Sequence, residues 1–223
     1  MLPGRPVRAY PALLSSEADA LAWARAGAPE GALVVAEYQA SPRGRAGLEW
    51  RPRPGAGLVF SLVLRPRLAA EREGWLYVAA SCGLADALGA ESVEWPDEVH
   101  GPDGRLGAVG VYSELGPEGT EWAVVNVLVE NVRPPRAPVV AGVVDAVEAR
   151  YRSPSTPVLA DYLRRSATIG RRVRARLIPL GPRGVRIEGR AVTVLADGAL
   201  VLETDDARRV AVRPHHLGLL EPA

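Results

Sequence analysis

ALVVAEYQASPRGRAGLEW, residues 32–50, is the stretch that carries most information about the fold. Its first part, Ala32 to Tyr38, is rich in β-branched residues and follows a glycine, which predicts a buried strand. The segment from Gln39 to Gly57 is rich in arginine, proline and glycine, and LVFSLVL, Leu58 to Leu64, predicts the next strand. Loops of this length inside compact domains are usually functional or disordered. The stretch therefore predicts two buried strands joined by a long loop that is either functional or disordered.

The rest of the chain predicts an α+β domain followed by a small β-barrel. Ser16 is placed to cap a helix from Glu17 to Gly27. From Ile169 onward, short alternating segments separated by Gly-Pro or Asp-Gly turns are typical of a barrel. The other predicted elements are a helix from Leu68 to Leu88 closed by Gly89, a short strand ended by Pro96, a hairpin turn at Asp103-Gly104, two long strands meeting at the turn Gly116 to Gly119, and helices from Val139 to Tyr151 and from Pro157 to Arg165. We therefore expect one domain over residues 1–167 and a second over residues 168–223.

The composition excludes several classes of function. The formal net charge is +1 and the 27 basic residues are all arginine, so no global field draws the chain to nucleic acid. No apolar run reaches the roughly 18 residues of a membrane span, and the first residues lack the apolar stretch of a signal peptide. The single cysteine, Cys82, lies in a helical pattern, which predicts a buried thiol and no disulfide. We expect a cytoplasmic protein with no nucleic-acid or membrane partner.

Several motifs, in this order, resemble the biotin protein ligase family. Ala36 to Gln39, followed by Arg43-Gly44-Arg45, Gly47 and Trp50, resembles the family's strand and adenylate-binding loop. WPDEV, from Trp95, and DGRLGAVGVYSEL, from Asp103, are similar to two further family motifs. The C-terminal segment is similar to the family's SH3-like barrel. The resemblance spans nearly the whole chain and implies a biotin/lipoate ligase-like catalytic domain followed by an SH3-like barrel. Because the match begins near Met1, we expect no N-terminal DNA-binding helix-turn-helix domain.

The resemblance also implies an activity, its cofactors and its site residues. Members of the family join biotin to AMP with ATP and Mg²⁺, and then transfer biotin to a lysine of a biotin carboxyl-carrier protein. Fixed positive charge must hold the two anions together. By position in the motifs, Arg45 and Arg105 are the implied catalytic residues. The implied biotin and nucleotide contacts are Gln39, Arg43, Gly44, Gly47, Trp50 and Trp95. Related ligases often pair through the central sheet, so the long strand Glu121 to Val132, if it lies at a sheet edge, is a candidate for pairing with its copy in a homodimer.

The sequence departs from the family pattern where positive charge and small residues are needed. The replacements are Pro42 for a glycine, Glu94 and Arg105 for lysines, Asp97-Glu98 for Asn-Asp, and Asn126, Leu128 and Glu130 for the G-x-G-x-N strand. Two functions therefore stay open. The chain is either an unusual active ligase or a non-catalytic relative that binds another small molecule or a protein partner. A lipoate or octanoate ligase is a weaker third alternative, because the RGRAG loop is closer to the biotin branch.

The histidines and the acidic cluster predict no metal site. His100 lies beside the Asp-Gly turn and is expected on a surface loop. Neighbouring residues on a strand point to opposite faces, so His215 and His216 predict one exposed and one half-buried side chain. Glu94, Asp97 and Glu98 form either Mg²⁺ ligands or a polar turn, and we favour the polar turn.

Overall fold

The computed structural model describes residues 4–53, 55–181 and 184–223. The strands are β1 (Val7–Leu13), β2 (Leu33–Gln39), β3 (Leu58–Leu64), β4 (Ser92–Glu94), β5 (Glu98–Gly101), β6 (Gly104–Gly116), β7 (Gly119–Val129), β8 (Arg172–Leu177), β9 (Arg186–Val194), β10 (Leu200–Glu203), β11 (Arg209–Val212) and β12 (Leu217–Pro222). The α-helices are α1 (Ser16–Arg25), α2 (Trp75–Leu88), α3 (Ala137–Arg152) and α4 (Ser155–Arg165). None of the described helices is both long and apolar enough to cross a membrane.

The first seven strands form one mixed sheet in the order β1-β2-β3-β7-β6-β5-β4. β1 and β2 are parallel, and the other neighbouring strands are antiparallel. The back face of the sheet carries Phe60 and Leu62 and packs on α2 and α3. Gly83 brings these helices together, because a Cβ at Gly83 would lie 2.5 Å from the Cα of Val147. The front face carries Val59, Ser61 and Val63 and is covered by α1 and by the loop that follows β2.

The last five strands form a second, antiparallel sheet in the order β11-β10-β9-β8-β12. This barrel packs on the start of α2, where a Cβ at Gly74 would lie 2.4 Å from the carbonyl oxygen of Asp197. The predicted fold class, an α+β sheet domain with a small β-barrel, is confirmed. Since α4 ends at Arg165 and β8 begins at Arg172, we propose the division into residues 1–167 and 168–223.

Several predicted elements agree closely with the structure. The predicted strand Leu58 to Leu64 coincides with β3, and the two long strands form the β6–β7 hairpin. The predicted burial of Cys82 is confirmed. α2 ends as expected at Gly89, which adopts a left-handed conformation with φ of 63°.

Other predictions were wrong. β1 was missed because its side chains are mostly half-buried or exposed and give no clear apolar pattern. α2 begins at Trp75 and not at Leu68, since the preceding residues form a 3₁₀ turn, Ala70–Arg72. β7 lies between β3 and β6 inside the sheet, so the edge position that pairing of two copies along this strand requires is not met. The edges of this sheet are β1 and β4.

Candidate functional site

The front face is divided into rows that cross the strands. The register aligns Val63 with Val124, Ser61 with Asn126 and Gly110, and Val59 with Leu128 and Ala108. Because side chains alternate along a strand, these residues all point to the same side of the sheet. Progressing from α1 along the strands, an apolar row is followed by a polar row, a second apolar row and a row of charges. The charged row is formed by Glu98, Arg105 and Glu130.

The polar row lies at the N-terminus of α1. The hydroxyls of Ser16 and Ser61 are 2.8 Å apart, and Ser61 donates to Asn126 Oδ1 at 2.7 Å. Asn126 is buried, and its Nδ2 donates to the carboxylate of Glu17. Burial raises the pKa of Glu17, while the hydrogen bond from Asn126 opposes the shift. The polar groups of this row are therefore hydrogen-bonded to one another.

Gln39 completes the polar row and corrects the predicted helix cap. Its Oε1 accepts a hydrogen bond from the backbone N–H of Ser16 at 2.7 Å, and its Nε2 donates to Val59 O at 2.7 Å. Ser16 was predicted to cap α1, but Ser15 occupies the cap position and makes no capping hydrogen bond through its side chain. Gln39 thus satisfies one of the N–H groups that a helix leaves free at its first turn.

The second apolar row is closed by the loop after β2. Trp50 packs against Val59, Ala108 and Leu128, and Leu128 is fully buried. A Cβ at Gly44 would lie 2.3 Å from the Trp50 ring, so glycine is needed for this contact. Trp50 therefore joins the loop to the floor of the front face.

The same loop lies directly on β6. A Cβ at Gly110 would lie 2.6 Å from the carbonyl carbon of Gly44, so the absence of a side chain at Gly110 lets the loop reach the sheet. Ala46 and Gly47 form its bend, with φ of 56° and 68°. Arg43 is exposed and donates to Gly47 O at 3.1 Å. The loop backbone thus occupies space above β6.

Arg45 connects the loop to the rest of the molecule. Its Nε donates to Asp97 Oδ2 at 2.9 Å, and its Nη1 contacts the carbonyl oxygens of Leu217 and Gly218 in the barrel. The side chains of Arg45 and Asp97 are only 11% and 10% exposed. Burial raises the pKa of Asp97 to about 6, although the charge of Arg45 opposes this shift.

Arg105 and Trp95 also have partners within the chain. The Arg105 guanidinium donates to Glu98 Oε1 at 2.8 Å and to Glu130 Oε1 at 3.0 Å. Trp95 is buried, and its indole N–H donates to Gly198 O at 2.9 Å. Trp95 therefore lies at the contact between the sheet domain and the barrel.

The structure brings only part of the predicted site together. Gln39, Gly44, Arg45 and Trp50 all lie at the front face, while Gly47 lies at the outer bend of the loop. Arg105 lies in the charged row. The sequence analysis missed the role of Glu17 and Ser61, although a serine inside the otherwise apolar LVFSLVL was an available signal. His100 was predicted on a surface loop, but it lies in β5 with a half-buried side chain.

A cavity of about 450 Å³ lies beside the loop. Its polar groups include the carboxylates of Glu17 and Glu73 and the imidazole of His215, whose Nδ1 is 3.0 Å from Glu73 Oε1. Its apolar walls include Leu21 of α1 and Val111 of β6. The cavity therefore combines acidic groups with apolar walls at the junction of α1, the loop and the barrel.

Comparison with known proteins gives relatives in sequence and in structure. No protein-family model matches the chain. The biotin--[acetyl-CoA-carboxylase] ligase of Mycobacterium tuberculosis is 30% identical over 216 residues, covering 85% of this chain and 80% of the relative. The bifunctional ligase/repressor BirA of Bacillus subtilis is 27% identical over 230 residues, covering 87% of this chain and 68% of the relative.

Two solved structures share the fold over nearly the whole chain. The biotin protein ligase of Aquifex aeolicus in complex with biotin and ATP has a TM-score of 0.73 and 18% identity, covering 98% of this chain and 99% of its own. A biotin protein ligase-like protein of unknown function from Silicibacter sp. TM1040 has a TM-score of 0.71 and 14% identity, covering 96% of each chain.

Proposed function

Because the chain belongs to the biotin protein ligase family, we propose that it is a non-catalytic member that binds a small molecule other than biotin. The observation that carries this proposal is the filled front face. Leu128 and Asn126 stand where the family pattern has glycines, and both side chains are buried. Leu128 packs under Trp50, and Asn126 is hydrogen-bonded to Ser61 and Glu17. A ligand that needs the space above these positions must displace side chains and break those hydrogen bonds.

The position of the loop supports the same proposal. Its backbone rests on Gly110, and Arg45 is tied to Asp97 and to the barrel. Opening the loop would leave Asp97 buried without its cationic partner, which is strongly unfavourable. A ligand entering between the loop and the sheet must compensate for that loss.

The charges of the site do not fit biotin together with ATP and Mg²⁺. Joining a carboxylate to a phosphate needs free cations, since two anions approach each other. Arg45 is paired with Asp97, and Arg105 is paired with Glu98 and Glu130. Glu94 adds a carboxylate where the family pattern has a lysine. The donors that would hold the phosphates are thus engaged by carboxylates of the same chain.

The cavity beside the loop is the better place for a ligand of this chain. Glu17 and Glu73 offer carboxylate acceptors, and Leu21 and Val111 offer apolar contacts. A small molecule with a cationic or hydrogen-bond-donating nitrogen and an apolar body matches this lining. The ligand class that we propose is therefore an apolar amine or a related nitrogen base.

Calorimetry on biotin-free protein tests the proposal. We expect no saturable heat with biotin at high micromolar concentration, with or without ATP and Mg²⁺. The variant Leu128→Ala should gain measurable biotin binding, whereas Leu62→Ala, an equally buried leucine on the back face, should not. A library of small amines should contain compounds that raise the melting temperature of the wild type but not of Glu17→Gln. Tight biotin binding by the wild type would contradict the proposal.

A second function, active biotin ligation, is favoured by the residues that the loop retains. Gln39, Arg43, Gly44, Gly47 and Trp50 keep the family's identities. An active enzyme would join biotin to AMP with ATP and transfer it to a lysine of a biotin carboxyl-carrier protein. ATP-dependent labelling of a carrier domain with biotin distinguishes the two functions, since the non-catalytic protein should give none. A cytoplasmic location and a homodimer through the central sheet, at one of its edge strands β1 and β4, remain proposals.

A further inference from the structure

The hairpin of β4 and β5 brings three metal-ligating side chains to one place. Glu94 and Glu98 face each other directly across the two strands. His100 follows Glu98 by two residues, so both side chains point to the front face. Like charges placed directly opposite each other destabilise a strand pair. The hairpin therefore carries a repulsion that a bound cation would remove.

The distances from His100 to the two glutamates are close to those of a tetrahedral metal site. His100 Nε2 lies 3.3 Å from Glu98 Oε2 and 3.7 Å from Glu94 Oε2. One ligand atom from each side chain lies within 4.8 Å of the others. In a tetrahedral site with bonds of about 2.1 Å, neighbouring ligand atoms are roughly 3.4 Å apart. The imidazole and the two carboxylates are thus near enough to one another to bind one ion together.

One of the two imidazole nitrogens of His100, Nε2, makes no hydrogen bond to the described residues. Its Nε2 is shielded from solvent and has no hydrogen-bond partner in the described part of the chain. It lies 3.3 Å from Glu98 Oε2 without forming a hydrogen bond to it. Buried polar atoms are normally satisfied, and the binding of an ion is one physical reason for an exception.

The neighbouring charges also suit a divalent cation. Arg105 binds Glu98 through Oε1, which leaves Oε2 available to a metal. Hydrogen bonds of this kind orient the carboxylates that bind metals. The charged row and the hairpin together hold the carboxylates of Glu94, Glu98 and Glu130 against the guanidinium of Arg105. The remaining excess of negative charge equals the charge of one divalent cation.

We propose that Glu94, Glu98 and His100 form a binding site for a divalent transition-metal ion, with Zn²⁺ as the best match. A histidine and two carboxylates are ligands that Zn²⁺ accepts, and three protein ligands leave a fourth position open to water or to another ligand. Mg²⁺ prefers oxygen ligands in octahedral geometry and is a poorer match. The proposal stands on these three side chains and does not depend on the proposed ligand of the cavity.

Titration of the untagged, chelator-treated full-length protein with Zn²⁺ tests the site by calorimetry. We expect one Zn²⁺ per chain, and an affinity at least ten-fold lower in His100→Gln and in Glu94→Gln. His216→Gln is the matched control and should bind Zn²⁺ like the wild type. Mg²⁺ should bind at least ten-fold more weakly than Zn²⁺.

The variants and the control distinguish binding at the hairpin from binding elsewhere on the chain. Loss of Zn²⁺ binding in both hairpin variants, with the control unchanged, supports the site. Glu94→Gln provides a second test if His100→Gln does not fold, because Glu94 is the more exposed of the two. Absence of Zn²⁺ binding in the wild type, or equal binding by all variants, overturns the proposal.

Discussion

The polar row beside α1 and the charged hairpin of β4 and β5 share one face of the sheet but differ in how their polar groups are satisfied. In the polar row, Asn126 and Ser61 are buried and joined to Ser16 and Glu17 by hydrogen bonds. In the hairpin, two carboxylates face each other and the nearby His100 nitrogen has no hydrogen bond within the described residues. The first arrangement is complete without a ligand, and the second is not. This difference separates groups that hold the fold together from groups available for binding.

The largest expected loss of stability comes from breaking the ion pair of Arg45 and Asp97, which holds the loop on the front face between these two regions. Arg45→Ala leaves Asp97 buried without its cationic partner, so we expect the free energy of unfolding to fall by about 3–5 kcal/mol. Urea denaturation measures this loss. Asp97→Asn in the Arg45→Ala background should restore part of it, and strictly additive losses would show that the pair is not coupled.

Replacing Asn126, at the centre of the polar row, should lower the free energy of unfolding by somewhat less. Asn126→Ala leaves Ser61 and Glu17 without their shared partner and opens a small cavity. We expect a loss of about 2–4 kcal/mol in the free energy of unfolding. The same denaturation experiment on Ser113→Ala, on the half-buried part of β6, is a suitable control. A change below the control's would mean that the polar row does not stabilise the fold.

A methyl group added at Gly44 should detach the loop from the front face without unfolding the domain. In Gly44→Ala the new Cβ would overlap the Trp50 ring, which we expect to cost about 1–3 kcal/mol. Since the strain is local, the loop should become more sensitive to proteolysis and Trp50 more exposed to fluorescence quenchers. Gly47→Ala provides the comparison, because its φ of 68° strains the backbone but no atom lies near the added Cβ. Equal protection of the Gly44→Ala and wild-type loops would contradict the close packing of Gly44 on Trp50.

The smallest effect is expected in the hairpin. Glu94→Gln removes one of two opposed carboxylates, so the metal-free protein should keep its stability or gain up to about 0.5 kcal/mol. With Zn²⁺ present, the order should reverse, because only the wild type gains stability by binding the ion. Thermal melts of both proteins with and without Zn²⁺ measure this crossover. A loss of stability in the metal-free variant would show that Glu94 stabilises the hairpin even without a metal.

Much of the fold could be predicted from the sequence because local patterns carry it. LVFSLVL, the long strands around the Gly116 to Gly119 turn and the glycine that ends α2 each have a signal within a few residues. β1 could not be predicted in this way, since its side chains are mostly half-buried or exposed and it is defined by pairing with β2. The start of α2 depends on the barrel, which packs against Gly74 from more than a hundred residues away.

The candidate site was also predicted only in part. The local loop motif carried a signal, whereas contacts between distant parts of the chain did not. The loop motif identified Gln39, Gly44, Arg45 and Trp50 as neighbours of a ligand site, and these residues do lie together at the front face. That Arg45 contacts the barrel could not be predicted, because the contact depends on how two separate sheets pack. The roles of these residues in ligand binding remain predictions.

The sequence by itself determined the order of most strands and helices, though not β1 or β5, together with the family and the replacements that distinguish this chain from the family pattern. The tertiary structure decided what those replacements do. It placed Leu128 under Trp50, joined Asn126 to Ser61 and Glu17, and turned His100 towards the two glutamates. The physical reason is that side-chain contacts follow from strand register, and a shift of one residue would turn each of these side chains to the opposite face.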